Sequence, residues 1–491
     1  MTENKGVKND GIADRDEILN KINQARTSGF HLKTWLLAGM GFFTDAYDLF
    51  IIGVVLGLLP LAGWAKLTTA QSSLIASTAL IAAVVGALVF GRLLDRFGRK
   101  AVYGLELVLL VFGALGSAFL TPVNGVAILI AWRFLLGIGI GGDYATSSTI
   151  MAEYSNTKKR GMLVGMVFSM QSLGLLAGPI VTLGLLLGGV PPAIAWKVLL
   201  ALGAVPAAAV IYYRRKMPET PKYTVGVKGN AQKAARDLKN YAGIGGVSAS
   251  TASDSNVPVV KTKWYYLFTD FRLLALVIGT AGSWFLMDWA LYGNSIMSSS
   301  MLGFLVPSSV TGIHHLIMTT ELSALIFGVA AFPGYWIATF TLDRIGRKPI
   351  QMIGFAAMTV SFGLLAFVPG LISVAQIVPF LALYGISYFF IEFGPNVTTF
   401  VYPPEVFPVS TRGLGSGMAA AGGKTGAFLG TLLNLGIVAA FGENGLFLLL
   451  AFFSAVGLVL TFALLPEPKL KVLEDISGES RYLVSNSKIN D

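Results

Sequence analysis

Gly91-Arg92-Leu93-Leu94-Asp95-Arg96-Phe97-Gly98-Arg99-Lys100 and Leu342-Asp343-Arg344-Ile345-Gly346-Arg347-Lys348 spell one phrase twice, Asp-Arg-x-Gly-Arg-Lys, in a chain of 491 residues. Each copy follows an apolar run. Any loop on the basic side of a membrane attracts Lys and Arg, but the same order of carboxylate, glycine and arginine in two equivalent loops marks a duplicated unit. Outward from the two copies, apolar runs of about 20 residues recur along the chain. With 54% hydrophobic and only 13% charged residues and a mean hydropathy of +0.69, the chain reads as an all-α membrane protein, not a soluble multidomain one. The runs predict twelve transmembrane helices, at about 34–62, 70–94, 101–121, 124–153, 161–188, 191–213, 273–300, 318–342, 349–370, 373–402, 411–441 and 443–465.

A net charge of +10 would suggest nucleic acid for a soluble protein, but here the basic residues gather in alternate loops, as the positive-inside rule requires. Arg92, Arg96, Arg99 and Lys100 follow span 2; Lys158, Lys159 and Arg160 follow span 4; Arg344, Arg347 and Lys348 follow span 8; Arg412 precedes span 11. Those loops are expected in the cytoplasm, and both termini with them, in a multi-pass protein of the cell membrane. The first thirty residues are polar and hold no short apolar core before a small-residue cleavage site, so no removable signal peptide is expected. Zero cysteines exclude disulfides, thiolate metal sites and cysteine nucleophiles. The only histidines, His31, His314 and His315, supply no ligand set for a metal, and the pair at 314–315 reads as part of an external loop. No metal and no cofactor are expected, and no nucleic acid or obligatory protein partner.

The organisation is a cytoplasmic N-terminal segment (1–33), a six-helix half (34–213), a linker (214–272), a second six-helix half (273–465) and a cytoplasmic tail (466–491). The linker is basic at its ends and rich in Gly, Ser and Ala in its middle. Gly243 to Val257 reads as flexible and Ala231 to Tyr241 as one short surface helix, the whole as a disordered tether too poor in apolar residues for a catalytic domain.

Within the apolar runs stand residues that a lipid-facing helix would not carry. Gly139-Ile140-Gly141-Gly142-Asp143-Tyr144 sets a carboxylate and a phenol in one of the most apolar stretches. An ionisable group at bilayer depth is usually kept to face a substrate, an ion path or a partner charge; a structural ion pair is the plainer alternative. At 1.5 Å of rise per residue, Asp45, Asp143, Asn396 and Lys424 all fall roughly 13–18 Å from the basic-loop ends of their own spans, near the middle of a hydrocarbon core about 30 Å thick. They belong to spans 1, 4, 10 and 11, hence to both halves, which fits a site at the interface between repeats. Asp288 lies deeper along span 7.

Lys424 is a lone cation among Ala419-Ala420-Ala421-Gly422-Gly423 and Thr425-Gly426-Ala427, so it needs an anion: Asp288 or Asp143 across the cleft, or a transported substrate in their place. Arg133 is expected to pair with Asp45. Asp45, Asp48, Asp143 and Asp288 outnumber Arg133 and Lys424, so an anionic substrate is repelled unless a carboxylate takes up a proton, which desolvation and like charges both favour. Proton uptake and anion binding are then coupled. Plainer readings exist for the neutral groups. Asn396 beside Pro395 can satisfy backbone groups freed by the proline, Gln171 can be an interhelical hydrogen-bond partner, and Trp284 and Tyr292 can be packing residues.

The paired motifs, with Arg133-x-x-x-Gly137-x-Gly139 in span 4, Pro218-Glu219-Thr220-Pro221-Lys222-Tyr223 after span 6 and Pro466-Glu467-Pro468-Lys469 after span 12, resemble the major facilitator superfamily over about residues 30 to 468. The resemblance implies two pseudo-symmetric halves that rock about a central site while motif charges latch helix ends on one side. Asp95, Arg96, Arg99, Glu153, Arg160, Asp343, Arg344, Arg347, Glu405 and Arg412 are thereby expected to be gating residues; a solvated turn is the plain alternative for Asp95 and Asp343. Within that superfamily, Gly141-Gly142-Asp143-Tyr144, Phe43-Thr44-Asp45-Ala46-Tyr47-Asp48, Trp284-Phe285-Leu286-Met287-Asp288 with Tyr292-Gly293-Asn294, Phe393-Gly394-Pro395-Asn396 and Gly423-Lys424 are similar to the phosphate:proton symporter family. This implies that Tyr144, Gln171, Trp284, Asp288, Tyr292, Asn396 and Lys424 contact phosphate. It also implies that Asp45 and Asp143 handle the proton, with Asp48 in the same group and Arg133 as a salt-bridge partner. One departure is Ala145-Thr146-Ser147 where the family continues with Pro-Leu-Ser, and span 4 is expected to be straighter for it.

Related facilitators carry organic acids or sugars, and the span 7 aromatics suit sugar stacking as well as phosphate. A neutral sugar, however, leaves Lys424 without a ligand. A non-transporting nutrient receptor needs a larger output region than the linker and tail provide, and a membrane enzyme lacks a ligand or nucleophile set. Paired halves with latches on one side favour alternating access over a channel.

Overall fold

The computed structural model describes residues 3–242, 257–296, 302–368, 370–372 and 374–484. The spans follow from where capping residues and helix breakers fall. Span 1, Gly29–Leu58, begins at Ser28, whose extended backbone caps it, and stops just before Pro60. That start is earlier than its apolar run, because Lys33 stays exposed within the first turns. Spans 2 to 5 are Thr69–Phe97, Leu105–Phe119, Val126–Tyr154 and Arg160–Leu187. Span 4 is one continuous helix: Thr146 hydrogen-bonds back to the Gly142 carbonyl, and Ala145 packs with Phe90, Leu94 and Val102. Span 6 is Pro192–Leu202 continued by Ala204–Arg215, and span 7 is Phe271–Ser295.

Two spans of the second half carry π-helical turns. Span 8 runs Gly312–Ile326, Phe327–Ala331, Phe332–Ile345, and span 10 runs Ile377–Ile391, Glu392–Asn396, Val397–Val406, on either side of span 9, Arg347–Phe367. In span 10 the turn contains Pro395, which has no N–H to donate, and Gly394 at φ −104°, ψ −111°. A proline and a wide turn of this kind open the helical ladder and often mark a functional position. Spans 11 and 12 form one helix, Arg412–Leu464, broken at Gly442 with φ 70° and ψ 174°, a left-handed position that favours glycine. The break falls at the residue that separates the two apolar runs.

The structure corrects three expectations. His314 and His315 lie in the first turn of the Gly312–Ile326 helix, not in a loop. Arg214 is not linker: it sits in the last turn of Ala204–Arg215 and is fully buried. The linker and tail are also ordered where described. Pro221–Gly226 and Ala231–Asp237 are helices, and their apolar residues Val225, Ala231 and Ala234 pack with Ile18, Leu19 and Ile22 of the N-terminal helix Glu3–Gln24. Val259–Val260 pairs antiparallel with Leu483–Val484 of the tail. These small apolar faces escaped notice because each is too short to show a period, while together they close a second core. Most of the stretch from Gly243 to Val257, expected to be flexible, lies outside the described residues.

The two halves meet through close helix crossings that only glycine permits. A Cβ on Gly417 of span 11 would sit 2.3 Å from the Ala87 carbonyl oxygen of span 2, and one on Gly91 would sit 2.6 Å from that of Gly413. Spans 5 and 8 cross similarly, with Ser169 Oγ 2.7 Å from Thr339 Oγ1. The polar residues that follow lie in the space enclosed by these crossings.

Candidate functional site

Lys424 of span 11 reaches across to span 7, where its Nζ donates to Asp288 Oδ2 at 3.1 Å and to the Tyr292 hydroxyl at 2.8 Å. It also lies over the Tyr144 and Tyr292 rings, 4.3 and 4.0 Å from their centroids. Of its two expected carboxylate partners, Asp288 is the one present. The other Asp288 oxygen accepts from Trp284 Nε1 at 3.2 Å, one helical turn back. Tyr292 and Tyr144 hydroxyls are 3.1 Å apart, and Gln171 Nε2 donates to both, at 3.4 and 2.8 Å. Gln171 Oε1 accepts from Tyr335 of span 8 at 2.6 Å. Asn396 Nδ2 then donates to the Tyr335 hydroxyl at 2.7 Å and to Glu392 Oε2.

One hydrogen-bonded chain therefore runs through spans 11, 7, 4, 5, 8 and 10. All seven residues singled out for substrate contact belong to it, and each is at most 2% exposed. Two further members, Tyr335 and Glu392, were missed. Tyr335 stands in an aromatic stretch with nothing to set it apart, but Glu392 is an acid at bilayer depth and was open to the same reasoning that found Asp143.

The acidic residues of the first half are arranged differently from expectation. Asp143 does not face Lys424. It forms a fork with Arg214, 2.6 Å from Nη1 to Oδ1 and 3.1 Å from Nη2 to Oδ2, and accepts from Ser147 at 2.5 Å. Arg214 also donates to Glu106 at 2.9 Å and to the Leu37 and Ala38 carbonyls of span 1. Nor does Arg133 pair with Asp45. Ten residues before Asp143 on the same helix, Arg133 is displaced from that level by about 15 Å. Its Nε donates to the Ile75 carbonyl and its Nη1 to the Asp48 carbonyl, at 3.2 and 3.4 Å. Asp45 itself is fully buried and, among the described residues, neither of its oxygens has a hydrogen-bond partner, although the charges of Asp143, Arg214, Asp48 and Lys424 all act on it.

Aromatic side chains close the chamber on both sides. Toward the motif loops, Phe42, Phe168 and Phe400 from spans 1, 5 and 10 pack together, Phe168 stacking on Phe400 at 4.6 Å and Phe42 meeting Phe400 edge-on at 4.8 Å. Toward the opposite end, Phe50 of span 1 stacks on Tyr292 at 5.1 Å and approaches Phe327 in the span 8 π-turn at 6.5 Å.

At the motif end the two halves are tied by a reciprocal set of contacts. Asp95 of span 2 accepts from the Gly413 and Leu414 amides at 2.9 and 2.8 Å, at the start of span 11. Asp343 of span 8 accepts from the Gly161 and Met162 amides at 3.0 and 2.9 Å, at the start of span 5. Each motif carboxylate thus meets the positive end of a helix in the opposite half. The glutamates repeat the exchange. Glu153 binds Arg99 at 2.7 Å and Arg412 of the other half at 3.0 Å; Glu405 binds Arg347 and Arg160, both at 2.7 Å. Arg96 and Arg344 differ from the other expected gating residues in being exposed. Glu219, after span 6, accepts from the Arg99 amide at 2.9 Å; burial pushes its carboxyl up, against the pull of Arg99. Glu467, after span 12, caps the second motif loop through the Lys348 amide at 2.9 Å.

Two bundle halves around a sealed polar chamber, latched by duplicated charges at one end, define a major facilitator-type secondary transporter. A family model for sugar (and other) transporters matches residues 34–479. The chain is 34% identical to a repressible high-affinity phosphate permease of Neurospora crassa, over 94% of this chain and 89% of that protein. It is 36% identical to probable inorganic phosphate transporter 1-12 of Oryza sativa subsp. japonica, over 94% of each. Among solved structures, the proton:xylose symporter XylE bound to 6-bromo-6-deoxy-D-glucose superposes with a TM-score of 0.77 at 21% identity, covering 93% of this chain and all of that one. The chain belongs to the sugar (and other) transporter family.

Proposed function

We propose that this chain imports inorganic phosphate together with protons by alternating access. The observation that carries the reading is Lys424, a buried ammonium set between Asp288 and Tyr292 in a chamber whose other polar groups are mostly donors. Phosphate oxygens accept from ammonium, indole, phenol and amide groups, and Lys424, Trp284, Tyr144, Tyr292, Gln171 and Asn396 offer all four kinds. A neutral sugar would use the amides and phenols and leave the ammonium without an anion. The curated relatives, named as phosphate transporters at 34–36% identity, support the same choice.

When phosphate takes the place of Asp288 at Lys424, an ionised Asp288 would repel it. Protonation of Asp288 removes that repulsion and turns the group into a donor. Asp45, buried without a hydrogen-bond partner among the described residues, is the carboxylate best suited to carry the coupled proton, since desolvation opposes its charge. Asp143 and Asp48 lie in the same field, the first held by Arg214 and the second beside Arg133, so they set the charge that Asp45 experiences. The positive-inside rule puts the motif end and both termini in the cytoplasm of a cell membrane. The latch residues then break and reform as the halves rock about the chamber.

The test is radiolabelled phosphate uptake into proteoliposomes, with and without an inward proton gradient, for the unaltered protein and for Lys424→Ala. Gradient-driven uptake that disappears in the variant supports the reading. No phosphate uptake by the unaltered protein, alongside counterflow of a sugar or carboxylate, refutes it.

A further inference from the structure

We propose that Glu392 is a second proton-carrying carboxylate of the substrate chamber, binding a proton that travels with each phosphate in addition to the one assigned to Asp45. This rests on the proposed phosphate symport and deepens it.

Glu392 is fully buried in the π-helical turn of span 10. One of its oxygens meets the Asn396 amide, which also binds Tyr335; the other, Oε1, has no hydrogen-bond partner among the described residues. Among the described residues no Lys, Arg or His forms an ion pair with it, whereas Asp288 has Lys424, Asp143 has Arg214, and Glu153 and Glu405 each have two arginines. The neighbouring elements supply no compensating charge among the described residues. Span 8 presents the neutral phenol of Tyr335 and the small Gly334 against the Glu392 Cβ, span 9 brings Gly354 against the turn, and span 10 itself adds Tyr388 and Asn396. The one charged group acting on it from span 7 is another acid, Asp288. A carboxylate removed from water without a cation is far more costly than a carboxylic acid in the same place. The closed chamber therefore holds Glu392 as the acid.

The same carboxyl sits one hydrogen bond from Asn396 and three from Gln171, so opening the chamber to water at either end exposes it with the substrate site. Facing the outer medium, the carboxylate takes a proton from water and forms its O–H bond; the halves close over acid and phosphate together. Facing the motif end, the O–H bond breaks and the proton passes to water as phosphate departs. The unpartnered Oε1 is the position from which the acid can donate to a phosphate oxygen meanwhile.

Proton-to-phosphate stoichiometry separates this from a purely structural role. It is read from the phosphate accumulation ratio that a fixed pH gradient sustains in proteoliposomes with the membrane potential clamped at zero, which does not depend on transport rate or on the net charge carried. Glu392→Gln keeps the size of the side chain and its hydrogen-bonding capacity but cannot exchange a proton. A ratio lower by one proton per phosphate in the variant supports the proposal, and an unchanged ratio overturns it while leaving phosphate symport standing. No gradient-driven phosphate accumulation by the unaltered protein overturns both. Should the variant fail to transport, infrared difference spectra of the purified protein decide. A protonated-carboxyl band at neutral pH that is missing from Glu392→Gln supports the assignment, and identical bands in both proteins reject it.

Discussion

Arg214 holds the charge balance of the first half. Its guanidinium binds Asp143 and Glu106 and two span 1 carbonyls while wholly buried. Removing one member of a buried ion pair leaves an uncompensated charge and costs about 3–5 kcal/mol, more than the intact pair contributes. Arg214→Ala is therefore expected to lower the thermal unfolding temperature markedly, and adding Asp143→Asn with Glu106→Gln should restore most of the loss. A triple variant no more stable than Arg214→Ala alone would mean that packing, not charge, governs the site. Nothing in the sequence separates Arg214 from its neighbours Arg215 and Lys216, which stay exposed, because all three sit where a basic loop is expected to begin. Lys424 was legible for the opposite reason, as a cation with no basic surroundings. Depth along a helix brought Asp45, Asp143, Asn396 and Lys424 to one level, but depth carries no azimuth. That is why Asp143 was read as facing the cleft when it faces span 6.

At the scale of elements, the span 10 turn decides where Asn396 and Glu392 point. Gly354 of span 9 makes that turn possible: a Cβ there would lie 2.4 Å from Pro395 Cδ and 2.5 Å from the Gly394 Cα. Gly354→Ala must push the turn away and move the amide that ends the polar chain. A loss of about 1.4 kcal/mol in binding corresponds to a tenfold weaker affinity, so the phosphate KM should rise about tenfold. Gly363→Ala on the same helix, where an added Cβ meets nothing within 4 Å, should leave KM unchanged; equal effects from the two would show that span 9 simply tolerates no added methyl. The helices themselves were readable from hydropathy, including the break at Gly442, because lipid forces every span to satisfy its own backbone. Span ends were less so, since caps such as Ser28 and Thr311 lie outside the apolar runs. The aromatic seals at Phe42, Phe168 and Phe400 were invisible, as a phenylalanine in an apolar helix carries no sign of whether it faces lipid or chamber.

For the whole molecule, the N-terminal helix and the described parts of the linker and tail bind one another across the motif end. Lys222 of the linker meets Glu474 of the tail at 2.6 Å, and Arg15 of the N-terminal helix meets Glu479 at 3.4 Å. Burial works against the ionised Glu474, but the Lys222 ammonium outweighs it and holds the carboxyl at about 2, while the same burial pulls Lys222 down. A depressed carboxylate stabilises the folded form above its ordinary range and loses that contribution as pH falls. Glu474→Gln should therefore unfold at a lower temperature than the unaltered protein at neutral pH, with the gap narrowing from about pH 4.5 toward about 2. A gap that stays constant through that window would show that the ion pair contributes nothing.

On the alternating access proposed above, the reciprocal latch beneath this strap is expected to set the balance between open and closed forms at the motif end, because its contacts join the two halves there. Glu405 joins Arg347 of its own half to Arg160 of the other, so Glu405→Gln weakens the closed form without touching the chamber. Each 1.4 kcal/mol lost from the closed form raises the open population about tenfold. The chain has no native cysteine, so a single cysteine placed at Ser416, 2% exposed beside the latch, reports opening without background. A membrane-impermeant maleimide should label it at least several-fold faster in Glu405→Gln than in the otherwise unaltered protein, and added phosphate should slow both if substrate draws the halves together. The symmetry sharpens the test. Glu153→Gln removes the corresponding bond to Arg412 and should speed labelling to a similar degree, whereas Arg344→Gln, exposed on the same loop, should not change it. Equal rates across all of these proteins would mean that glycine crossings such as Gly417 on Ala87 close the motif end unaided, and that the duplicated charges only decorate it.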